Sequence, residues 1–195
     1  VKACGLLMSG RRSAINERRK KGHRAATGAI RNHGKNKGGL MADERLSRFI
    51  EIAIKREENA YAFYMDLHDR VKETSARETL KWIAGEEEKH RRFLVDYRDG
   101  KLSSQALKMS DVAYYKIAEY QKEPEVEEDM SSTDIFLLAA HRELKSHQFY
   151  SELAALYPAG EIREMLLKMA NEELKHKEKM EYLYSNASFV QTAGG

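Results

Sequence analysis

An all-α four-helix bundle made of two duplicated helix hairpins is the fold this sequence predicts, and three observations predict it. A pair of motifs occurs twice: Glu57-Glu58-Asn59-Ala60-Tyr61-Ala62-Phe63-Tyr64 returns as Glu143-Leu144-Lys145-Ser146-His147-Gln148-Phe149-Tyr150, and Glu87-Glu88-Lys89-His90 returns as Glu173-Leu174-Lys175-His176. The copies are in register, 86 residues apart for both motifs (143 − 57 and 173 − 87). Apolar residues also recur at helical spacing in four stretches, and only 2 prolines interrupt a chain that is 33% charged.

The first helix is expected from Asp43 to about Arg70, with Leu46, Phe49, Ile50, Ala53, Ala60, Tyr61, Tyr64 and Leu67 on one stripe and Glu57 in its single gap. Ser75 and Glu78 have capping-box spacing and open the second helix. Its stripe reads Leu80, Ile83, Glu87, His90, Leu94 and Tyr97, and Asp99-Gly100 closes it. The third helix runs from Ser132 to about Leu156, with Ile135, Leu138, Ala139, Glu143, Ser146, Tyr150 and Leu153 facing inward. Pro158-Ala159-Gly160 turns the chain into the fourth, where Ile162, Leu166, Met169, Glu173, His176, Met180 and Leu183 share a face. The connector from Lys101 to Ser131 is long enough to cross over, and a short helix is expected in it around Asp111 to Tyr120. The bundle is expected over 41–188, followed by a disordered tail over 189–195.

All four stripes place acid or imidazole at the same height. An unpaired carboxylate in an apolar core costs several kcal/mol, and four of them in one bundle repel each other. Two metal cations at the centre remove both problems. Residues i and i+3 share a helix face, so each Glu-x-x-His presents both side chains to one point. One glutamate from each of two helices plus a Glu-x-x-His from each of the other two is the ligand set of a carboxylate-bridged two-metal site. A single Glu-x-x-His on a charged helix is ordinarily a solvated face; duplication of both motifs at one offset is what outweighs that reading. Oxygen-rich ligation with imidazole and no thiolate suits iron first and manganese second.

At these residues the sequence resembles the rubrerythrin family of the ferritin-like superfamily, over essentially all of 41–185. The resemblance implies that Glu57, Glu87, His90, Glu143, Glu173 and His176 hold two iron ions, with Glu87 and Glu173 bridging. It implies that Tyr64 and Tyr150 hydrogen-bond the ligand carboxylates. It further implies reduction of hydrogen peroxide, or more slowly dioxygen, and a homodimer or larger assembly, often with exchanged helix pairs. A ferroxidase that oxidises and hands on Fe(II) is the alternative activity, and a metal-responsive interaction protein with little turnover a further one. Two departures stand out. These 195 residues hold 1 cysteine, so the four-cysteine rubredoxin domain is missing and the electron donor is expected to be a separate, rubredoxin-like protein or a small molecule. Ser146 stands where the family usually carries an extra glutamate, which is expected to lower peroxidase efficiency. His147 is expected to pack beside the site rather than ligate, and His141, beside Arg142, to lie on the outer surface.

Charge divides the chain unevenly. Residues 1–40 hold eleven Lys or Arg against Glu17 alone, and seven of the 12 glycines. Such a segment buries too little apolar surface to offset its ordering entropy and is expected to be disordered. Its charge suits a nucleic-acid tether, whereas Ala3 to Met8 is too short an apolar core for a secretory signal. The favoured expectation is a non-native upstream extension, with Met41 opening the ordered pattern. Nucleic acid is therefore expected as a partner only if that segment is native. No stretch approaches the roughly 20 apolar residues of a membrane span. The lone Cys4 excludes an intrachain disulfide framework, and the cytoplasm is the expected compartment.

Overall fold

The computed structural model describes residues 37–127 and 130–193. Among them are five α-helices and one 3-10 turn, with no strand: α1 (Lys37–Arg70), α2 (Thr74–Arg98), the turn Ser104–Ala106, α3 (Ile117–Tyr120), α4 (Ser132–Ala155) and α5 (Glu161–Ala193). The pairs α1/α2 and α4/α5 pack as two hairpins, one for each copy of the repeated motifs. No helix among the described residues is long and apolar enough to cross a membrane.

Each helix end has a local cause. Gly100 takes φ 71°, and the amides of Gly100 and Lys101 return to Tyr97 and Asp96 carbonyls at 3.0 and 2.8 Å, which satisfies the last turn of α2. Ser131 caps α4 by accepting from the Asp134 amide at 3.1 Å. Glu161 and Glu164 place negative charge in the first turn of α5. The capping box expected at Ser75 and Glu78 does not form: the helix is capped two residues earlier, at Glu73, and the Ser75 hydroxyl donates to the Glu73 carboxylate instead.

The core is split into two apolar layers. One contains Leu67, Leu80, Ile83, Ile135, Leu138 and Met180; the other contains Ile50, Ala53, Leu94, Leu153, Met165 and Met169. Burying each such leucine contributes about 2 kcal/mol. Tyr61 is not part of either layer. It is 42% exposed, because Glu57, Ala60 and Tyr64 define the inward face and the next residue after Ala60 rotates off it.

The connector is zipped along α5. The amides of Ser104, Ser110, Tyr115 and Ala118 donate to the side chains of Glu161, Asn171, Glu178 and Glu181, so it climbs in the same direction as the helix. These acceptors satisfy backbone groups that would otherwise be stranded. Fully buried Lys177 ties the same network together, 3.1 Å from Glu119 and 3.0 Å from Glu181. The helix expected over Asp111 to Tyr120 is correspondingly shorter. Only Ile117–Tyr120 is helical, since the Tyr115 amide is spent on Glu178 of α5 and Lys116 adopts a left-handed φ of 61°.

Two boundaries also move. The first helix begins at Lys37 rather than Asp43. The last continues to Ala193 instead of ending at 188, because no proline or glycine interrupts 189–193. The basic segment, apart from its last residues, lies outside the described residues.

Candidate metal centre

The polar layer between the two apolar ones is made by the repeated motifs. Glu57 comes from α1, Glu87 and His90 from α2, Glu143 from α4, and Glu173 and His176 from α5. All six are buried, none more than 5% exposed. Each lies one or two helical turns from a core residue on its own stripe (Ala53 below Glu57, Ile83 below Glu87), so packing of the apolar layers aims the acids at one another.

The geometry repeats the sequence symmetry. His90 Nδ1 is 3.7 Å from Glu57 Oε2, and His176 Nδ1 is 3.4 Å from Glu143 Oε2. Across the centre, His90 approaches Glu173 at 3.0 Å and His176 approaches Glu87 at 3.6 Å. The two imidazoles stack with centroids 5.1 Å apart. The tyrosines cross between hairpins: Tyr64 donates to Glu143 and Tyr150 donates to Glu57.

A cation fits what is left over. Glu87, His90, Glu173 and His176 each present an atom within 4.8 Å of the others. Glu87 Oε1, His90 Nδ1, Glu143 Oε2, both Glu173 oxygens and His176 Nδ1 are buried without a hydrogen-bond partner. Native interiors rarely strand one such atom, and this layer strands six. The contact of His90 with Glu173 is close but not aligned to share a proton. Carboxylate and imidazole donors without thiolate are the set iron and manganese prefer.

Electrostatics of the metal-free layer point the same way. Burial, then repulsion from neighbouring carboxylates, pushes Glu87 and Glu173 well above the usual carboxylate range. Burial would also raise Glu57, but contacts with His90, Glu87 and Tyr150 outweigh it and bring it below its ordinary value. Burial opposes charge on His90, yet Glu57 and the other carboxylates hold it up to about 9. Burial and the adjacent Glu143 or Glu57 carboxylate keep both tyrosines protonated far above their ordinary value. Carboxylates held this way favour their protonated form, and a cation would compete with those protons.

Reading the sequence alone missed two residues here. Arg56 and Arg142 immediately precede the matched glutamates, at the same 86-residue offset (142 − 56). The Arg56 guanidinium lies 4.3 Å over Phe149 and that of Arg142 lies 3.9 Å over Phe63, so each arginine stacks on the motif phenylalanine of the other copy. The shared offset was the signal available. Between α1 and α4 these arginines border a cavity of about 250 Å³ that also reaches Lys145, Ser146 and Glu143.

His147 behaves as expected, with its Nδ1 2.8 Å from the Ala170 carbonyl and no part in the centre. His141 corrects the outward assignment: it is half-buried, its Nε2 lacks a partner, and burial lowers its pKa. Arg142 beside it likewise folds inward. Trp82, unmentioned by either motif, sets its ring edge against His176 at 5.6 Å between centroids.

The rubrerythrin family model matches residues 25–97, which include Glu57, Glu87 and His90. A hypothetical protein from Pyrococcus furiosus has a similar solved structure, with a TM-score of 0.52 and 24% identity over 78% of this chain and 96% of that one. No curated protein matches. Over residues 25–97 the chain is similar to the rubrerythrins, and its fold is a ferritin-like helical bundle.

Proposed function

We propose that this chain is a non-haem di-iron oxidoreductase that reduces hydrogen peroxide, or dioxygen, with electrons from an external donor. The observation that carries this reading is the buried layer of six unpartnered donor atoms on Glu87, His90, Glu143, Glu173 and His176. Glu57, Glu87, His90, Glu143, Glu173 and His176 would hold the two ions, with Glu87, His90, Glu173 and His176 converging most closely. When bound, an iron pair supplies two electrons and Lewis acidity.

The chain's own residues set the rest. Peroxide reduction to two waters consumes two electrons and two protons. Tyr64 and Tyr150 orient the Glu143 and Glu57 carboxylates, and their phenols hold protons at Oη beside the centre. A separate redox protein or small reductant restores the electrons. The cavity against Glu143 is bordered by Arg56, Arg142 and Lys145. A cytoplasmic homodimer belongs to the same reading.

Metal analysis of the purified protein, followed by anaerobic Fe(II) loading and a stoichiometric peroxide pulse watched in the near ultraviolet, tests it. Two irons per chain, oxidised faster by peroxide than by air, support the proposal. Continued uptake of Fe(II) under oxygen would replace it with a ferroxidase, and absence of a metal pair would end both.

A further inference from the structure

The cavity between α1 and α4 lies between pseudo-symmetric partners. Arg56 faces Arg142, and Ala60 faces Ser146, each pair separated by the offset of the repeat (142 − 56 and 146 − 60). The cavity therefore sits where the local twofold relation of the two hairpins reaches the surface. Its walls carry an unbalanced charge. Lys145 is paired with Glu123 at 2.6 Å, and the Glu143 carboxylate already accepts from Tyr64 and turns its other oxygen toward His176. Arg56 and Arg142 have no carboxylate in direct contact, although the charge of Arg56 acts on buried Glu173 from a distance. Their Nε atoms are buried without a hydrogen-bond partner, and among the described residues neither guanidinium makes an ion pair.

Both guanidiniums are also held in place. Stacking on Phe149 and Phe63 fixes their planes without using their N–H groups. Fixed guanidinium forks are the groups that recognise phosphate and carboxylate oxygens. The small side chains of Ala60 and Ser146 leave the space between them open. The volume, about 250 Å³, takes a phosphate-sized ion and several waters at about 30 Å³ each.

The geometry points to a small-oxyanion site in this cavity, held between Arg56 and Arg142 on the side away from Glu143, the one member of the carboxylate layer that reaches its wall. Phosphate is the matching class: its oxygens satisfy both forks, and its charge offsets two half-buried cations. The Ser146 hydroxyl is one further donor at the wall. A glutamate at Ser146 would occupy the same space with its own carboxylate.

Calorimetric titration of the full-length, chelator-treated protein with inorganic phosphate tests this. One saturable phosphate per chain is expected. Loss of one charge-assisted fork weakens it about tenfold in Arg56→Gln and in Arg142→Gln. Ser146→Glu, which keeps both arginines and a helix-compatible residue, abolishes binding. Lys55→Gln, removing an exposed cation paired with Glu58 outside the cavity, leaves it unchanged. Circular dichroism confirms that each variant folds. No saturable binding to the parent protein, binding that survives both Arg142→Gln and Ser146→Glu, or equal weakening by Lys55→Gln would each overturn the site. The titration uses no metal, so its failure leaves the di-iron reading standing, and absence of a metal pair leaves this one standing.

Discussion

Tyr64 on α1 donates its phenolic proton to Glu143 on α4, and Tyr150 on α4 returns the contact to Glu57 on α1. Each hairpin thus supplies the tyrosine that steadies the other's carboxylate. Neither hairpin can assemble the polar layer alone, and the two halves of the duplicated sequence are bonded to each other at the height of the centre.

Tyr64→Phe separates this bracing from metal binding. It leaves Glu143 Oε1 without a donor in a place where Oε2 already has none. The metal-free protein should lose about 1–3 kcal/mol in chemical denaturation. The metal-loaded form should lose less, since a cation takes over the carboxylate. Metal stoichiometry should not change, while the rate of peroxide reduction should. Loss of metal would instead make Tyr64 a ligand.

Glu87→Gln should move stability and metal binding in opposite directions. Burial and three neighbouring carboxylates disfavour charge on Glu87, and an amide removes that conflict at nearly the same volume. The metal-free variant should be more stable than the parent at pH 8, by about 1 kcal/mol or more. Its capacity for a tightly held metal pair should disappear. Glu173→Gln is expected to behave alike, since its environment has the same causes. A variant that is stabilised yet retains two metals would show that these two carboxylates are not essential ligands.

The same charges give the metal-free protein a pH signature. His90 is raised from 6.5 to about 9, so its stabilising contribution is complete below 6.5 and lost as the pH climbs through 9. Glu87 and Glu173 are raised too. An acid whose folded pKa exceeds its unfolded one also loses stability as pH rises above about 4.5. Only Glu57, which is lowered, acts in the other sense, and its contribution fades on acidification below 4.5. The melting temperature of chelator-treated protein should therefore fall steadily from pH 6 to pH 9. Metal binding, which needs the deprotonated ligands, should strengthen over the same range. Parallel curves with and without metal would contradict the assignment.

Much of this was legible in the sequence, for a physical reason. A helix stripe exposes its ligands as gaps in apolar periodicity, and duplication made Glu57, Glu87, His90 and their counterparts stand out twice. Arg56 and Arg142 were hidden because the same periodicity places them off the stripe, and only stacking on a phenylalanine of the other hairpin turns them inward. The connector was illegible for a different cause. Asn171, Glu178 and Glu181 look like the solvated face of α5, but they are buried because an extended stretch of backbone needs acceptors there, and Lys177 is buried among them as the cation that pairs with Glu119 and Glu181. Polar burial of that kind leaves no hydrophobic pattern to read.

Trp82 offers a probe that distinguishes the two halves of the centre. It is the chain's 1 tryptophan, half-buried, with its ring edge against His176 and the Lys179 ammonium 3.2 Å over its face. The matching position in the second hairpin is Lys168 (82 + 86), whose ammonium bonds the Ser104 carbonyl, so His90 has no tryptophan of its own. Paramagnetic Mn(II) or Fe(II) at His176 should quench Trp82 fluorescence strongly, and an ion held by His90 should quench it less. If the ions enter in sequence, the quench follows one of the two binding steps and not total metal. His176→Ala should abolish most of the quench, whereas His90→Ala should preserve it even if affinity falls. A quench that persists in His176→Ala would mean that the ion nearest Trp82 is not held where the stacked imidazoles place it.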